Sequence, residues 1–316
     1  GTAHALMQAK DLLKDRFIVM NGDDIYSCND MNGCIKKFDE HDACVLAQPV
    51  DEPERFGVYV TENGLVKEIV EKPKNYVSNL ANAGFYVFDK KAFDVKMDRS
   101  SRGEYEIVDI VRSLAGTGKV RCETVKDYWI PVGYPWSLLD ANAHILKSIE
   151  NDIQGEVEPN ATIKGKVKIG KGTLVKNGAY IEGPVVIGEN CTIGPNCFIR
   201  GSTSIGNNCR VGNGVEIKNS IIMNKSYVNH LSYIGDSIIG NNVNIGAGNV
   251  TANLRHDNKT VKTPIGDDVV DSGRRKLGAV IGDGVHTGIN TTIYPGRKIW
   301  PNKTTFPGEI VREDVK

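Results

Sequence analysis

From Val157 onward an aliphatic residue returns every six positions: Val157, Ile163, Ile169, Val175, Ile181, Ile187, Ile193, Ile199, Ile205, Val211 and Ile217, without a miss. Four positions after each stands a second small or apolar residue, among them Ala161, Val167, Thr173, Ala179, Cys191, Cys197 and Cys209. Gly, Asn, Lys and Glu fill the space between. A period of six fits neither a helix nor a two-fold alternating strand. It fits a solenoid of short stacked strands, each coil burying its apolar side chains against the next. The Gly-x-Asn steps, as in Ile187-Gly188-Glu189-Asn190 and Ile205-Gly206-Asn207-Asn208, tolerate the positive φ of a sharp corner. Three hexads make a triangular coil of about 18 residues.

The rhythm also breaks. Ile217 to Ile222 and Ile234 to Ile239 are steps of five, and register is lost from Thr251 to Pro264. Hexads return at Ile265, and then at Ile281, Thr287, Ile293 and Ile299. Solenoids absorb insertions as loops on one face, and such loops often carry function. Asn253 to Lys262, polar and basic, is predicted to be such an excursion.

The front of the chain alternates strand and helix. Helices are predicted from Thr2 to Lys14, Asn32 to His41, Tyr105 to Leu114 and Pro135 to Ile145. Strands are predicted at Phe17–Met20, Ala43–Gln48 and Gly84–Phe88, with a hairpin turning at Asn63-Gly64. This is an α/β pattern. Met20 is followed by Asn21-Gly22-Asp23-Asp24, and open α/β sheets place ligands beyond strand ends of this kind. The chain thus divides into residues 1–150, an α/β domain, and 151–316, a parallel β-helix.

Net charge is zero, so no nucleic-acid partner is indicated. No apolar run approaches the roughly 18 residues of a membrane span, and no signal peptide is evident. The seven cysteines show neither CxxC nor metal-ligand spacing, and three share one repeat position. They read as core fillers in a reduced, cytoplasmic protein.

Six short motifs follow one another in the front half: Gly1-Thr2-Ala3-His4-Ala5, Asn21-Gly22-Asp23, Phe56-Gly57-Val58, Glu71-Lys72-Pro73, Asn82-Ala83-Gly84 and Val132-Gly133-Tyr134-Pro135-Trp136. In that order they resemble the sugar-1-phosphate nucleotidylyltransferases, which have a Rossmann-like fold. The resemblance implies that Gly1 and Thr2 lie against the nucleotide. It implies that Asp23 holds Mg2+, and that Gly57, Glu71, Lys72 and Asn82 line a sugar pocket. The family opens with a glycine-rich triphosphate loop that has no counterpart before Gly1, so an N-terminal truncation is expected. It usually carries Asp where this chain has Pro131.

The coil carries a second constellation. Asn229-His230-Leu231-Ser232-Tyr233-Ile234-Gly235-Asp236 is followed by Asn242-Val243-Asn244-Ile245-Gly246-Ala247-Gly248 and the excursion with Asn253, Lys259 and Lys262. This resembles the acetyltransferase half of the bifunctional UDP-N-acetylglucosamine enzymes. The whole chain resembles the archaeal bifunctional sugar-1-phosphate nucleotidylyltransferase/acetyltransferases. The resemblance implies a left-handed β-helix, acetyl-CoA as co-substrate, an amino-sugar 1-phosphate and a nucleoside triphosphate (UTP or dTTP) as substrates, and a homotrimer or a multiple of it. It also implies His230 as general base, Tyr233, Asn244 and Asn253 around the substrate, and Lys259 and Lys262 on its phosphate. Gly288, Arg274, Arg275 and Arg297 would meet coenzyme A. The bacterial pattern has Tyr after the loop Asn; this chain has Leu254. Two other functions compete with this one. One is a nucleotidylyltransferase whose β-helix only assembles or regulates the oligomer. The other is a purely structural solenoid, which would need no excursion.

Overall fold

A computed structural model describes residues 1–100 and 103–316. It separates into two compact units, Gly1–Val132 and Gly133–Lys316.

The first unit contains, in order, α1 (Thr2–Gln8), β1 (Arg16–Met20), β2 (Asp24–Tyr26), α2 (Cys28–Lys37), β3 (Ala43–Pro49), β4 (Gly57–Glu62), β5 (Leu65–Glu71), β6 (Leu80–Asp89), α3 (Ile107–Ala115), β7 (Val120–Thr124) and β8 (Trp129–Pro131). Six of these strands form one sheet in the order β1-β6-β3-β7-β5-β4. The β3–β7 pair is parallel and the other pairings are antiparallel. Apolar residues on its two faces pack into separate clusters, one around Tyr59, Phe88 and Ile110 and one around Leu46, Phe85 and Trp129.

Two helices differ from expectation, for local reasons. The α2 helix starts at Cys28, because the Ser27 hydroxyl accepts the Asn29 and Asp30 N–H groups as an N-cap. The α1 helix stops at Gln8; Leu12 is 85% exposed, so no apolar face carries the helix further. The Asn63-Gly64 turn has φ of 52° and 76°, which suits a tight hairpin between β4 and β5.

The second unit is a parallel β-helix with three faces. Among the described residues these hold six, eight and eight strands. Each strand pairs in parallel with its counterpart one coil later, as Val185↔Thr203 and Ile193↔Val211. The hexad aliphatics from Ile169 to Ile217 stack as one buried column set with Cys191, Cys197 and Cys209. The two five-residue steps shorten the coil by one residue: Glu216 pairs with Tyr233 and Ile221 with Ile238. Corners are held by left-handed Asn residues such as Asn190 and Asn208, a conformation Asn adopts more readily than most.

The interruption is longer than its sequence suggested. Ile238 pairs with Val280, so the coil resumes only there. Ile265 is not a coil position: Lys262–Ile265 pairs antiparallel with Asp268–Asp271 as a hairpin inside the excursion. The helix Ser137–Leu146 (α4) lies in the coil unit. Trp136 and Leu139 are buried with Ile238, Val261 and Leu277, at the base of the excursion.

Among the cysteines only Cys28 is exposed. Burial pushes the Cys197 and Cys122 thiols up to about 12, which suppresses thiolate chemistry. A thiol-specific dye is expected to titrate one cysteine rapidly in the native protein and all seven only after unfolding. Several fast-reacting thiols would contradict this packing.

Candidate functional site

In the first unit, one end of the sheet gathers most of the motif residues. The β1 strand ends at Met20, and the Asn21 N–H donates to the Gly84 carbonyl of β6 at 3.0 Å. Two residues away along β6, the Asn82 side chain is fixed on three sides. Its Oδ1 accepts from Tyr59 Oη at 2.9 Å and from the Gly84 N–H at 3.0 Å, and its Nδ2 donates to Tyr86 Oη at 2.7 Å. Burial pushes both tyrosines' pKa values above the usual phenol, so these hydroxyls stay protonated. Gly57 pairs with Glu71 across the hairpin, and a Cβ at Gly57 would lie 2.7 Å from Glu71 Oε2. Lys72 is exposed and left-handed at φ 42°, so the chain turns sharply beside Glu71.

Asp23 and Asp24 differ in a useful way. Asp24 Oδ2 accepts from Trp129 Nε1 at 3.0 Å, from Asn21 Nδ2 at 3.2 Å and from Tyr26 Oη at 3.3 Å. Asp23 is exposed and its carboxylate has no hydrogen bond or ion pair among the described residues. Pro131 pairs with Asp24, and the Val132 N–H donates to the Asp23 carbonyl at 3.2 Å. The second position therefore offers no side-chain oxygen. One free carboxylate suits Mg2+, which keeps waters and takes its other ligands from phosphates. No group of three or more His, Cys, Asp or Glu side chains is arranged for a metal among the described residues.

Gly1 and Thr2 lie against the start of α3. The Ala3 N–H donates to the Tyr105 carbonyl at 3.0 Å, and the Thr2 hydroxyl accepts the Ile107 N–H at 2.9 Å. A Cβ at Gly1 would meet the Tyr105 oxygen at 2.4 Å. Both residues thus have a packing reason to be what they are.

In the second unit, His230 ends the strand Tyr227–His230 on one coil face, and Tyr233 begins the strand Tyr233–Gly235 on the next. Leu231 makes the corner between them at φ 45° and is 66% exposed, an uncommon conformation for a branched apolar side chain. The His230 imidazole is exposed and has no partner among the described residues. With Lys176, Arg210, Asn213 and Asn229 it lines a groove of about 450 Å³. Asn244 stands one coil beyond Tyr227, and its side-chain amide is likewise free.

On the neighbouring face Asn253 Nδ2 donates to Tyr233 Oη at 3.0 Å and to Asp236 Oδ2 at 2.5 Å. Both amide hydrogens are engaged, so Asn253 presents Oδ1 as an acceptor. Because Tyr233 Oη receives a hydrogen bond, its own O–H is left to donate outward. Burial, first, and the nearby Asp236 charge push the Tyr233 pKa above the usual phenol, so this donor persists at neutral pH. A Cβ on Gly235 would lie 2.4 Å from Tyr233 Oη and 2.7 Å from Asn253 Nδ2. Gly235→Ala is therefore expected to leave the coil folded but displace this pair, lowering activity at this corner about tenfold, roughly one neutral hydrogen bond. Unchanged turnover in Gly235→Ala would remove the pair from the site.

Sequence reasoning did not single out Lys218 or Asp236. Lys218 Nζ lies 3.4 Å from Asp236 Oδ2, one coil earlier on the same face as Tyr233. The available signal was register: a lysine beside an inward-pointing hexad aliphatic, one coil before the motif.

Lys259 and Lys262 are exposed on the excursion and form no ion pair among the described residues. The four residues expected at coenzyme A have different settings. Arg274 is 18% exposed and paired with Asp140. Arg297 donates to the Lys262 carbonyl at 2.9 Å, tying the excursion to the coil. Arg275 is exposed. A Cβ at Gly288 would meet the Phe306 and Pro307 backbone at 2.5 Å, so coil stacking alone demands glycine there.

Comparison with known proteins extends over both units. The nucleotidyl transferase family profile matches residues 1–148, and that of the GMPPB C-terminal domain matches residues 181–309. The bifunctional protein GlmU of Methanococcus aeolicus is 43% identical over 100% of this chain and 77% of its own length. That of Methanocaldococcus jannaschii is 44% identical with the same coverage. The bifunctional sugar-1-phosphate nucleotidylyltransferase/acetyltransferase of Sulfurisphaera tokodaii is 40% identical over 100% of this chain and 79% of its own length. This likeness spans a nucleotidyltransferase unit and a β-helix in one chain, and the chain belongs to the archaeal family of bifunctional sugar-1-phosphate nucleotidylyltransferase/acetyltransferases.

Proposed function

We propose that the coil unit transfers the acetyl group of acetyl-CoA to the amine of an amino-sugar 1-phosphate, glucosamine 1-phosphate foremost, with His230 as general base. We further propose that the front unit joins the sugar 1-phosphate to a nucleotidyl group from UTP or dTTP, the uridine donor giving UDP-N-acetylglucosamine. The observation that carries the first step is an exposed, unpartnered imidazole at a coil corner, three residues before Tyr233 of the half-buried Tyr233–Asn253 pair.

An amine must lose a proton as it attacks a thioester. The C–N bond forms, the C–S bond breaks, and the proton passes from the amine to His230 Nε2 or Nδ1 and on to the departing thiolate. The outward O–H of Tyr233 suits a sugar oxygen or the phosphate, with Asn253 fixing its direction. Asn244 is free to orient the acceptor. Lys259 and Lys262 supply unpaired ammonium groups for the phosphate dianion. Arg275 at the end of the excursion and Arg297 on a later coil suit the phosphates of coenzyme A, and Gly288 is assigned to its extended arm by resemblance, since coil stacking alone already demands glycine there. Arg274 belongs to this group by position, although its charge is engaged by Asp140.

In the front unit Asp23 would hold Mg2+, with Gly57, Glu71, Lys72 and Asn82 around the sugar and Gly1 and Thr2 toward the nucleotide. The ion would neutralise charge on the phosphates during transfer.

His230 and the Tyr233–Asn253 pair lie on adjacent faces of one coil. A neighbouring coil packed against that edge would close the site, which supports a trimer or a multiple of it. The test is thiol release from acetyl-CoA with glucosamine 1-phosphate, galactosamine 1-phosphate and the unphosphorylated sugars. Release with the 1-phosphates alone is expected. Release with none of them would leave the β-helix as an assembly domain.

A further inference from the structure

The excursion leaves the coil at Ala252 and returns at Gly278, and its two feet are joined by backbone bonds. The Leu277 N–H donates to the Asn253 carbonyl at 3.0 Å, and Leu254 bridges Lys276. Beneath these feet lies Asp236, 2% exposed, at a left-handed corner with φ 50°. A buried carboxylate is costly unless its oxygens are filled, and here both are. Oδ1 accepts Asn219 Nδ2 at 2.6 Å and faces Arg274 Nη2 at 4.0 Å. Oδ2 accepts Asn253 Nδ2 at 2.5 Å and lies 3.4 Å from Lys218 Nζ. The Asp236 carbonyl also accepts the Gly278 N–H at 2.9 Å.

One carboxylate therefore binds the departing foot through Asn253, the returning foot through Arg274 and its own backbone, and the preceding coil through Lys218 and Asn219. We infer that Asp236 is a positioning residue: it anchors the excursion that carries Lys259 and Lys262 and aims the Asn253–Tyr233 pair at the acceptor. This rests on the acetyl-transfer function proposed above. Asp236 touches no substrate in this account; it acts through Asn253 and the loop.

Asn is the informative replacement, because it keeps the shape, removes the charge and sets an N–H₂ against donors that need an acceptor. Two readouts on the full chain separate this inference from the function beneath it. The first is amide hydrogen exchange, which needs no activity. Asp236→Asn is expected to speed exchange at Leu277 and Gly278 at least tenfold, leaving Ile187 and Ile205 in the earlier coils unchanged. Equal exchange at the feet overturns the anchor whether or not acetyl transfer exists.

The second is a double-mutant cycle on kcat/KM for the amino-sugar 1-phosphate, with KM for acetyl-CoA as the internal reference. Asp236→Asn and Asn253→Ala are each expected to lower kcat/KM ten- to a hundredfold, and the double variant to be no worse than the poorer single one. Asn219→Ala removes a donor to the same carboxylate without touching the excursion, and is expected to fall less than threefold. Multiplicative effects of Asp236→Asn and Asn253→Ala, or wild-type kcat/KM in Asp236→Asn, would overturn the positioning role. A wild-type protein without acetyl transfer would instead remove the proposed function, and the exchange result alone would then decide the anchor.

Discussion

His230→Ala is expected to lower kcat for acetyl transfer about 10²- to 10⁴-fold, the usual range for removing a positioned general base. The imidazole is exposed and unpartnered, so the variant loses no buried contact and its stability should stay within about 0.5 kcal/mol of wild type. KM for both substrates should change little, because the proton is taken in the transition state. Nucleotidyl transfer should be untouched. Steady-state kinetics of the two half-reactions on one preparation checks all of this. A large loss of thermal stability would instead mark His230 as a structural corner residue.

Asp23→Ala is expected to have the complementary effect. A bound metal ion contributes several kcal/mol to phosphoryl-type transfer, and about 1.4 kcal/mol is tenfold, so nucleotidyl transfer should fall about a thousandfold or more. Binding of Mn2+ as a spectroscopic substitute in the presence of nucleotide should weaken in parallel, and acetyl transfer should not change. The neighbouring residue provides the contrast. Asp24→Ala strips the Trp129 Nε1–H of its acceptor, while Tyr26 Oη keeps the Ala83 carbonyl at 2.8 Å, and should cost about 1–3 kcal/mol of stability. If Asp23→Ala destabilised the unit instead, or left Mn2+ binding unchanged, the metal assignment would fail.

The solenoid was legible because its core is a local pattern. A coil buries what lies at fixed spacing, so Ile169 to Ile217 predict the stack directly, whereas Val157, on the first coil, is exposed; the two five-residue steps appear as coils one residue shorter. The far side of the interruption was not legible. Ile265 has the look of a hexad residue, but it lies in a hairpin strand opposite Asp268. Spacing alone cannot distinguish the two when the partner strand is so near in sequence. The helix α4 was legible as a helix, but its packing was not, for the opposite reason. Its place in the coil unit depends on Trp136 and Leu139 burying against Val261 and Leu277, contacts too distant in sequence for any periodicity to register.

The same limit applies to polar residues. His230, Tyr233 and Asn253 stood out through the order of their motifs, and the structure brings Tyr233 and Asn253 into contact. Arg274 was expected at coenzyme A, and its pairing with Asp140 could not be foreseen from spacing. Asp236 closed the His230 motif without a role of its own. Only the burial of its carboxylate beneath both feet of the excursion gives it a larger part.

The central claim is that one chain carries two separable active centres, with acetyl transfer centred on His230. The most direct measurement is mass spectrometry of the products formed from acetyl-CoA and glucosamine 1-phosphate by wild type, His230→Ala and Asp23→Ala. The account predicts N-acetylglucosamine 1-phosphate from wild type and Asp23→Ala at similar rates, and almost none from His230→Ala. Acetylated product at the wild-type rate from His230→Ala, or none from wild type, would contradict it.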